Sequence, residues 1–420
     1  MGFRTYTCPI ARECGGCEWL AVPYPIQLRR KREYVEGLLG AIAAEDGAIW
    51  DEIAGMEDPR GYRHKAATPF SPAPKGRERR VGRGDARRER GIRYGFYAPG
   101  THRIVRAEDC LVEAPGARQI LADVAHVADD LRIPAYDEDR GRGVLRHAVV
   151  RMGWQTSECL LTVVANGEQL PREREFVDHM LDLHPEVTSI ALNVNQRRTN
   201  AILGHTNRTL FGPGIMHDEL LDCRFAIGPT SFYQTNPAQT EVLYRLAIDG
   251  AKLAPGQRLL DAYCGCGTIG ICAAAATPGL EVMGVEQVDG AVGMARANAR
   301  DNAVDDRCRF ACADVTHWMY EHAAGRAGTG PAGTGPAGNK GVRFDVVVMD
   351  PPRAGSTPEF LDAVVALAPA RVVYVSCNVE TQARDLAILR AGGYRMERVS
   401  PVDMFPHTKH VENVVTLVRR

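Results

Sequence analysis

The feature that most limits what this chain can fold into is the rhythm of its last third. Short apolar, β-branched runs alternate with helix-length segments. The runs are Arg258-Leu-Leu-Asp261, Val282-Met-Gly-Val-Glu286, Arg309-Phe-Ala-Cys-Ala-Asp314, Phe344-Asp-Val-Val-Val-Met-Asp350 and Arg371-Val-Val-Tyr-Val-Ser-Cys377. Apolar strands separated by helices predict a doubly wound, mostly parallel α/β sheet covered on both faces. Open sheets of this kind carry their chemistry at the carboxyl ends of the strands. Here each run closes on an acid or, in the last case, on a thiol. Segments 394–399 and 411–418 are expected to complete the sheet.

The first of these strands enters a glycine turn, Tyr263-Cys-Gly265-Cys-Gly267-Thr268, and then a helix. A glycine-rich first turn, with an acid ending the second strand, is the general arrangement for an adenosyl ribose. Gly265 to Gly270 formally fits the weak G-x-G-x-x-G dinucleotide template. The set Asp261, Glu286 and Asp350-Pro-Pro instead favours S-adenosylmethionine. In that reading Glu286 accepts from the ribose hydroxyls, the glycine turn approaches the methionine portion, and Asp314 meets the adenine amino group.

Upstream, the pattern changes. Val144–Arg151, Glu158–Val164 and Ser189–Asn195 alternate as strands of an α+β domain with an antiparallel sheet. Candidate helices run from about Tyr24 to Ala44 and from about Ala238 to Leu253. Between the latter and the strands, Ser231-Phe232-Tyr-Gln234-Thr-Asn236 offers Gln234 and Asn236 for binding. At 420 residues the chain is expected to hold two or three domains. These divide at 1–50 (a cysteine segment and helix), 51–220 (the α+β domain) and 221–420 (the doubly wound domain). A tandem Ala-Gly-Thr-Gly-Pro repeat at 323–341 reads as a disordered insert.

Twelve cysteines without a signal-like or membrane-spanning stretch suggest the cytoplasm, and suggest ligands or buried thiols rather than disulfides. Cys8, Cys14 and Cys17 can converge on one metal centre, with Cys110 as the next cysteine along. Four thiolates suit either zinc or an iron–sulfur cluster. The net charge of −1 gives no global sign of a nucleic-acid partner. Locally, residues 75–93 carry nine cations against three anions, followed by Tyr94, Phe96 and Tyr97. Such a patch attracts phosphates, and aromatics beside it suit stacking on unpaired bases.

Taken together, these motifs resemble the bacterial RNA uracil-C5 methyltransferases, which use S-adenosylmethionine. The matching pieces span nearly the whole chain. They are the four cysteines, Gly61-Tyr-Arg-His-Lys65, Ser231-Phe-Tyr-Gln-Thr-Asn236, Asp261-Ala-Tyr-Cys-Gly-Cys-Gly267, Asp350-Pro-Pro-Arg353, Ser376-Cys-Asn378 and Pro406-His-Thr-Lys-His410-Val-Glu412. Within the family, the chain is similar to the 23S rRNA members, and Asp403-Met-Phe-Pro-His-Thr408 to the RlmC type. Since it begins at the cysteine cluster, the small N-terminal barrel (TRAM domain) of some relatives is expected to be missing.

The resemblance implies a class I methyltransferase domain preceded by an RNA-binding domain, acting on RNA, with no membrane and no protein partner. It implies a mainly structural [4Fe-4S] cluster on Cys8, Cys14, Cys17 and Cys110. Cofactor contacts are implied for Gln234, Tyr263, Thr268, Glu286, Asp314 and Asp350. At the position of Thr268, relatives often carry Asn or Gly. The nucleophile falls on Cys377 and the base on Glu412. The chemistry explains the residue types. Uracil C5 is too weak a nucleophile to take a methyl group unaided, and thiolate attack on C6 creates electron density at C5. A base must then remove the C5 proton. Ribosomal RNA is expected over tRNA. The competing readings are an amino-methyltransferase and a non-catalytic RNA-binding iron–sulfur protein. Arg353 after Asp-Pro-Pro, where amino-methyltransferases normally carry an aromatic residue, argues against the first. Intact catalytic motifs argue against the second.

Overall fold

The computed structural model describes residues 4–73, 91–323 and 343–420. Most of the basic stretch and the tandem repeat lie outside the described residues. The chain opens with a single turn, α1 (Ala11–Cys14), and a long helix, α2 (Tyr24–Asp46). Helix α2 carries Pro in its first turn, where its missing N–H leaves no bond unmade, and stops at Gly47 in the left-handed region. Its buried face is Gln27, Lys31, Val35, Leu39 and Ala43, one residue every four. A two-residue strand, β1 (Ile49–Trp50), follows.

The central domain runs through β2 (Lys65–Ser71), β3 (Arg93–Tyr94), β4 (Phe96–Tyr97), β5 (Ile104–Val105), α3 (Ala117–Asp130), β6 (Leu145–Met152), β7 (Cys159–Ala165), α4 (Glu173–Leu183), β8 (Ser189–Val194) and β9 (Thr206–Phe211). Six of these strands form one sheet in the order β3-β2-β6-β7-β8-β9. Helix α3 packs its apolar face (Ile120, Leu121, Val124, Val127) into the same core as Val150, Leu161 and Phe176. The sheet is not purely antiparallel as expected. Strands β7 and β8 are parallel, because α4 carries the chain back across the sheet between them. The hairpin β10 (Met216–Leu220) and β11 (Cys223–Ile227) leads out of the domain.

The last part contains α5 (Pro237–Ala251), β12 (Arg258–Ala262), α6 (Thr268–Ala276), β13 (Glu281–Glu286), α7 (Asp289–Asp301), β14 (Cys308–Cys312), α8 (Val315–Ala323), β15 (Val346–Met349), α9 (Pro358–Leu367), β16 (Arg371–Ser376), α10 (Val379–Ala391), β17 (Tyr394–Val402) and β18 (Glu412–Arg419). Together with β1, their seven strands build an eight-stranded sheet in the order β1-β17-β18-β16-β15-β12-β13-β14. Strands β14, β13, β12, β15 and β16 are parallel to one another, while β18 runs antiparallel between β16 and β17. One face buries Leu243, Ile271 and Val292. The other buries Phe360, Leu386 and, from α2, Val35 and Leu39. Thus α2 and β1, which pairs parallel with β17, complete the far edge of this sheet.

The polar end of α2 has a different task. Lys31 makes a buried ion pair with Asp403 at 2.5 Å, and Tyr24 donates to the same carboxylate at 2.8 Å. The His407 backbone N–H donates to Gln27 Oε1 at 2.8 Å, with His407 at φ +66°. The loop between β17 and β18 is therefore pinned from beneath. No helix among the described residues is long and apolar enough to cross a membrane.

Candidate active site

Strand β12 delivers its chain to a tight turn in which Tyr263, Gly265 and Gly267 all have positive φ. Glycine is the residue that adopts this conformation without steric cost. The turn is tied to the next strand end, since the Gly265 N–H donates to Glu286 Oε2 at 3.2 Å and the Val288 N–H to Glu286 Oε1 at 2.9 Å. Asp261 accepts from the Gly270 N–H at 2.9 Å. A Cβ on Gly270 would lie 2.9 Å from that same carboxylate oxygen, so the helix can sit this close only with glycine there. Burial pushes the Asp261 carboxyl up to about 7.

All eight residues singled out for catalysis and cofactor binding line one cavity of about 840 Å³: Gln234, Tyr263, Thr268, Glu286, Asp314, Asp350, Cys377 and Glu412. Strand order explains the convergence, because β14, β13, β12, β15 and β16 present their carboxyl ends side by side. Asp314 immediately precedes α8 and accepts from the His317 N–H at 2.9 Å. The Thr268 hydroxyl bonds Tyr244 at 3.1 Å, and the Tyr263 hydroxyl lies 3.2 Å from that of Ser356.

Cys377 follows directly on β16. The last pair in the β16–β18 ladder sets Ser376 opposite Asn413, and extending that register by one residue brings Cys377 opposite Glu412. The thiol is pushed up to about 11, first by burial and then by the charges of Glu412 and Asp350, with Arg353 opposing. Burial raises Glu412 to about 8, helped by Asp350 and opposed by Arg353. Asp350 is raised to about 7 by burial alone. The cavity thus holds a thiol and two acids: Asp350 opposes the ionisation of both Glu412 and Cys377, Glu412 opposes that of Cys377, and one guanidinium acts the other way on both. Arg353 Nη2 is 3.3 Å from His410 Nδ1, and the Arg353 carbonyl accepts from Asn378 Nδ2 at 3.1 Å.

The cavity also takes Arg63 and Lys65 from the central domain, Phe405 and His410 from the pinned loop, and Tyr244 from α5. Sequence reasoning assigned these no role. The signal for three of them was present in Gly61-Tyr-Arg-His-Lys65 and Pro406-His-Thr-Lys-His410. Tyr244 sits inside a helix with nothing local to mark it.

The expected [4Fe-4S] ligand set is not assembled in the same way. Cys8, Cys14, Cys17 and Cys110 are half-buried free thiols. They do lie within electrostatic reach of one another: Cys17 is pushed up to about 11 by burial and then by Cys110, with Cys14 and Cys8 adding to it. Yet among the described residues no group of three or more His, Cys, Asp or Glu side chains is arranged to hold a metal ion.

An acid closing the second strand, a glycine turn after the first and a deep cavity over the parallel strand ends are the features of a class I S-adenosylmethionine-dependent methyltransferase. The comparisons with known proteins narrow the class. Residues 222–420 match the tRNA (Uracil-5-)-methyltransferase family. An uncharacterised RNA methyltransferase of Halalkalibacterium halodurans is 38% identical over 98% of this chain and 82% of its own length. Another, from Bacillus cereus, is 36% identical with the same shares. The crystal structure of Pyrococcus abyssi tRNA (uracil-54, C5)-methyltransferase, in complex with S-adenosyl-L-homocysteine, superposes with a TM-score of 0.74 at 28% identity, over 98% of this chain and 86% of that one. The chain belongs to the RNA methyltransferase family of these relatives, with a match to the tRNA (Uracil-5-)-methyltransferase family over residues 222–420, and it is an S-adenosylmethionine-dependent enzyme acting on RNA.

Proposed function

We propose that this protein methylates C5 of one specific uracil in 23S rRNA through a covalent adduct between Cys377 and uracil C6. The observation that carries the reading is the register that sets Cys377 against Glu412 in the cavity shared with Glu286 and Asp314. The Cys377 thiol loses its proton to solvent and adds to C6, and the electron pair of the C5–C6 double bond is shared between C5 and the C4 carbonyl oxygen. C5 then takes the methyl group from the sulfonium, leaving S-adenosylhomocysteine. Glu412 removes the remaining C5 proton, the C5–C6 double bond re-forms and the thiolate departs. Asp350 receives the uracil N3–H. Gln234, Tyr263, Thr268, Glu286 and Asp314 hold the methyl donor. Both faces of the base must be reached, so the uracil enters unpaired or flipped from its helix.

A tRNA substrate is the second reading, favoured by the activity named for the Pyrococcus abyssi structure. Mapping 5-methyluridine by mass spectrometry in 23S rRNA and tRNA, from cells with and without the gene, separates the two. Loss of one site in 23S rRNA is expected. Loss confined to tRNA would transfer the assignment, and no loss in either would remove it.

The four-thiol neighbourhood supports a structural cluster held by Cys8, Cys14, Cys17 and Cys110, since four half-buried sulfur donors suit iron–sulfur or zinc. Iron, sulfide and zinc content of anaerobically purified protein decides between these. Four iron and four sulfide per chain, lost in Cys17→Ser, is the expected result.

A further inference from the structure

Beside the reacting cavity lies a second one, of about 890 Å³, in the central domain. Arg63 and Lys65 line both, so the two meet at the start of β2. The second cavity plays no part in the chemistry described above, and its walls are suited to a base. Tyr97 stands 5.7 Å from the ring of His102 and edge-on to His147 at 6.2 Å. The acids in the wall are already neutralised: Glu113 is paired with Arg118 and Glu138 with Arg146.

Two further observations point to a ligand. His147 is only 6% exposed, yet its Nδ1 has no hydrogen-bond partner. Burial pushes this imidazole down to about 4, so it is neutral in the cell, and the residue forms part of the cavity wall. A buried polar atom without a partner is a cost that a ligand can relieve. Lys65, at the junction, is lowered to about 8 by burial and by Arg151, with no carboxylate among its influences. An anion is what this part of the wall lacks.

We infer that the second cavity receives a second unpaired nucleotide of the same RNA, next to the target uracil, with its base against Tyr97 and His147 and the linking phosphate on Lys65 and Arg63. The inference rests on the reading that the target uracil occupies the first cavity. It makes selection depend on two splayed bases rather than one. Stacking on an aromatic side chain contributes about 5- to 150-fold per base.

Two experiments test it. Methyl transfer to total RNA from cells lacking the gene gives KM for RNA in the wild type, in Asn200→Trp, which fills the cavity from an exposed loop, and in Tyr97→Ala. A rise in KM for RNA of tenfold or more, with S-adenosylmethionine affinity unchanged, is expected in both. Values within twofold of the wild type in both would overturn the inference. If the wild type methylates no RNA, the reading of the first cavity fails, and photocrosslinking decides the second independently. RNAs carrying a photoreactive analogue of each of the four nucleosides in turn, irradiated with the wild-type protein, should in one case crosslink to Tyr97, His102 or His147. Crosslinks confined to other residues would reject the second nucleotide.

Discussion

The surroundings of Cys377, the proposed nucleophile, oppose its ionisation. Burial and two neighbouring acids hold the Cys377 thiol at about 11, against an ordinary 9.0. At pH 8 that leaves about one thiol in a thousand ionised, against about one in ten for an unperturbed cysteine, while the more basic thiolate is the stronger nucleophile and recovers about sixfold to tenfold of this deficit. Alkylation of Cys377 by iodoacetamide should therefore run roughly tenfold slower than that of a free cysteine at pH 8, and should keep rising beyond pH 10. Twelve cysteines are present, so the rate must be read on the Cys377 peptide by mass spectrometry. Glu412→Gln removes the largest charge that opposes ionisation, and should shift the alkylation profile to lower pH. Arg353→Met removes the cation that favours it, and should shift the profile the other way. A wild-type profile levelling off below pH 9, or one unmoved by either substitution, would refute this account of the site's electrostatics.

Three further outcomes follow from the same geometry. Asp350 is buried with its carboxyl raised from 3.8 to about 7, so the folded state binds the extra proton and stability falls as pH rises through that window; Asp350→Asn should raise Tm at pH 8, by an amount equivalent to at most about 4 kcal/mol, and lose that advantage near pH 4 while abolishing methyl transfer. Leu39→Ala opens a hole between α2 and the sheet, where Leu39 is fully buried, and chemical or thermal denaturation should show a loss of about 2–5 kcal/mol. On Gly284 a Cβ would fall 2.5 Å from the Phe310 ring and 2.8 Å from Cys264 Sγ, so Gly284→Ala should disturb the turn beside Glu286 and weaken S-adenosylmethionine binding in calorimetry, by about 1–3 kcal/mol if the overpacking falls wholly on the bound state.

How far the sequence reveals these arrangements depends on whether a residue's partner is local. Asp261, Glu286, Asp314, Asp350 and Cys377 each close an apolar strand, and parallel strands bring such ends together whatever their exact register. Their shared cavity was therefore legible from periodicity. The position of Glu412 opposite Cys377 was not, because it depends on β18 entering antiparallel between β16 and β17, which no run of residues announces. Helix α2 shows a second limit. Its buried stripe is regular, but Gln27 and Lys31 occupy the first two places, so the face does not read as apolar. Their partners, His407 and Asp403, lie more than 370 residues away. The parallel pairing of β7 with β8 was obscured in the same way, since alternation identifies a strand and not its direction.

The most direct test of the covalent mechanism is to incubate Cys377→Ala and Glu412→Gln proteins with S-adenosylmethionine and total RNA from cells lacking the gene, then look for a protein–RNA complex that survives denaturation. Glu412→Gln should accumulate such a complex, with the RNA-derived mass on the Cys377 peptide, and Cys377→Ala should form none and transfer no methyl group. Methylated RNA released at the wild-type rate by Cys377→Ala would contradict the account.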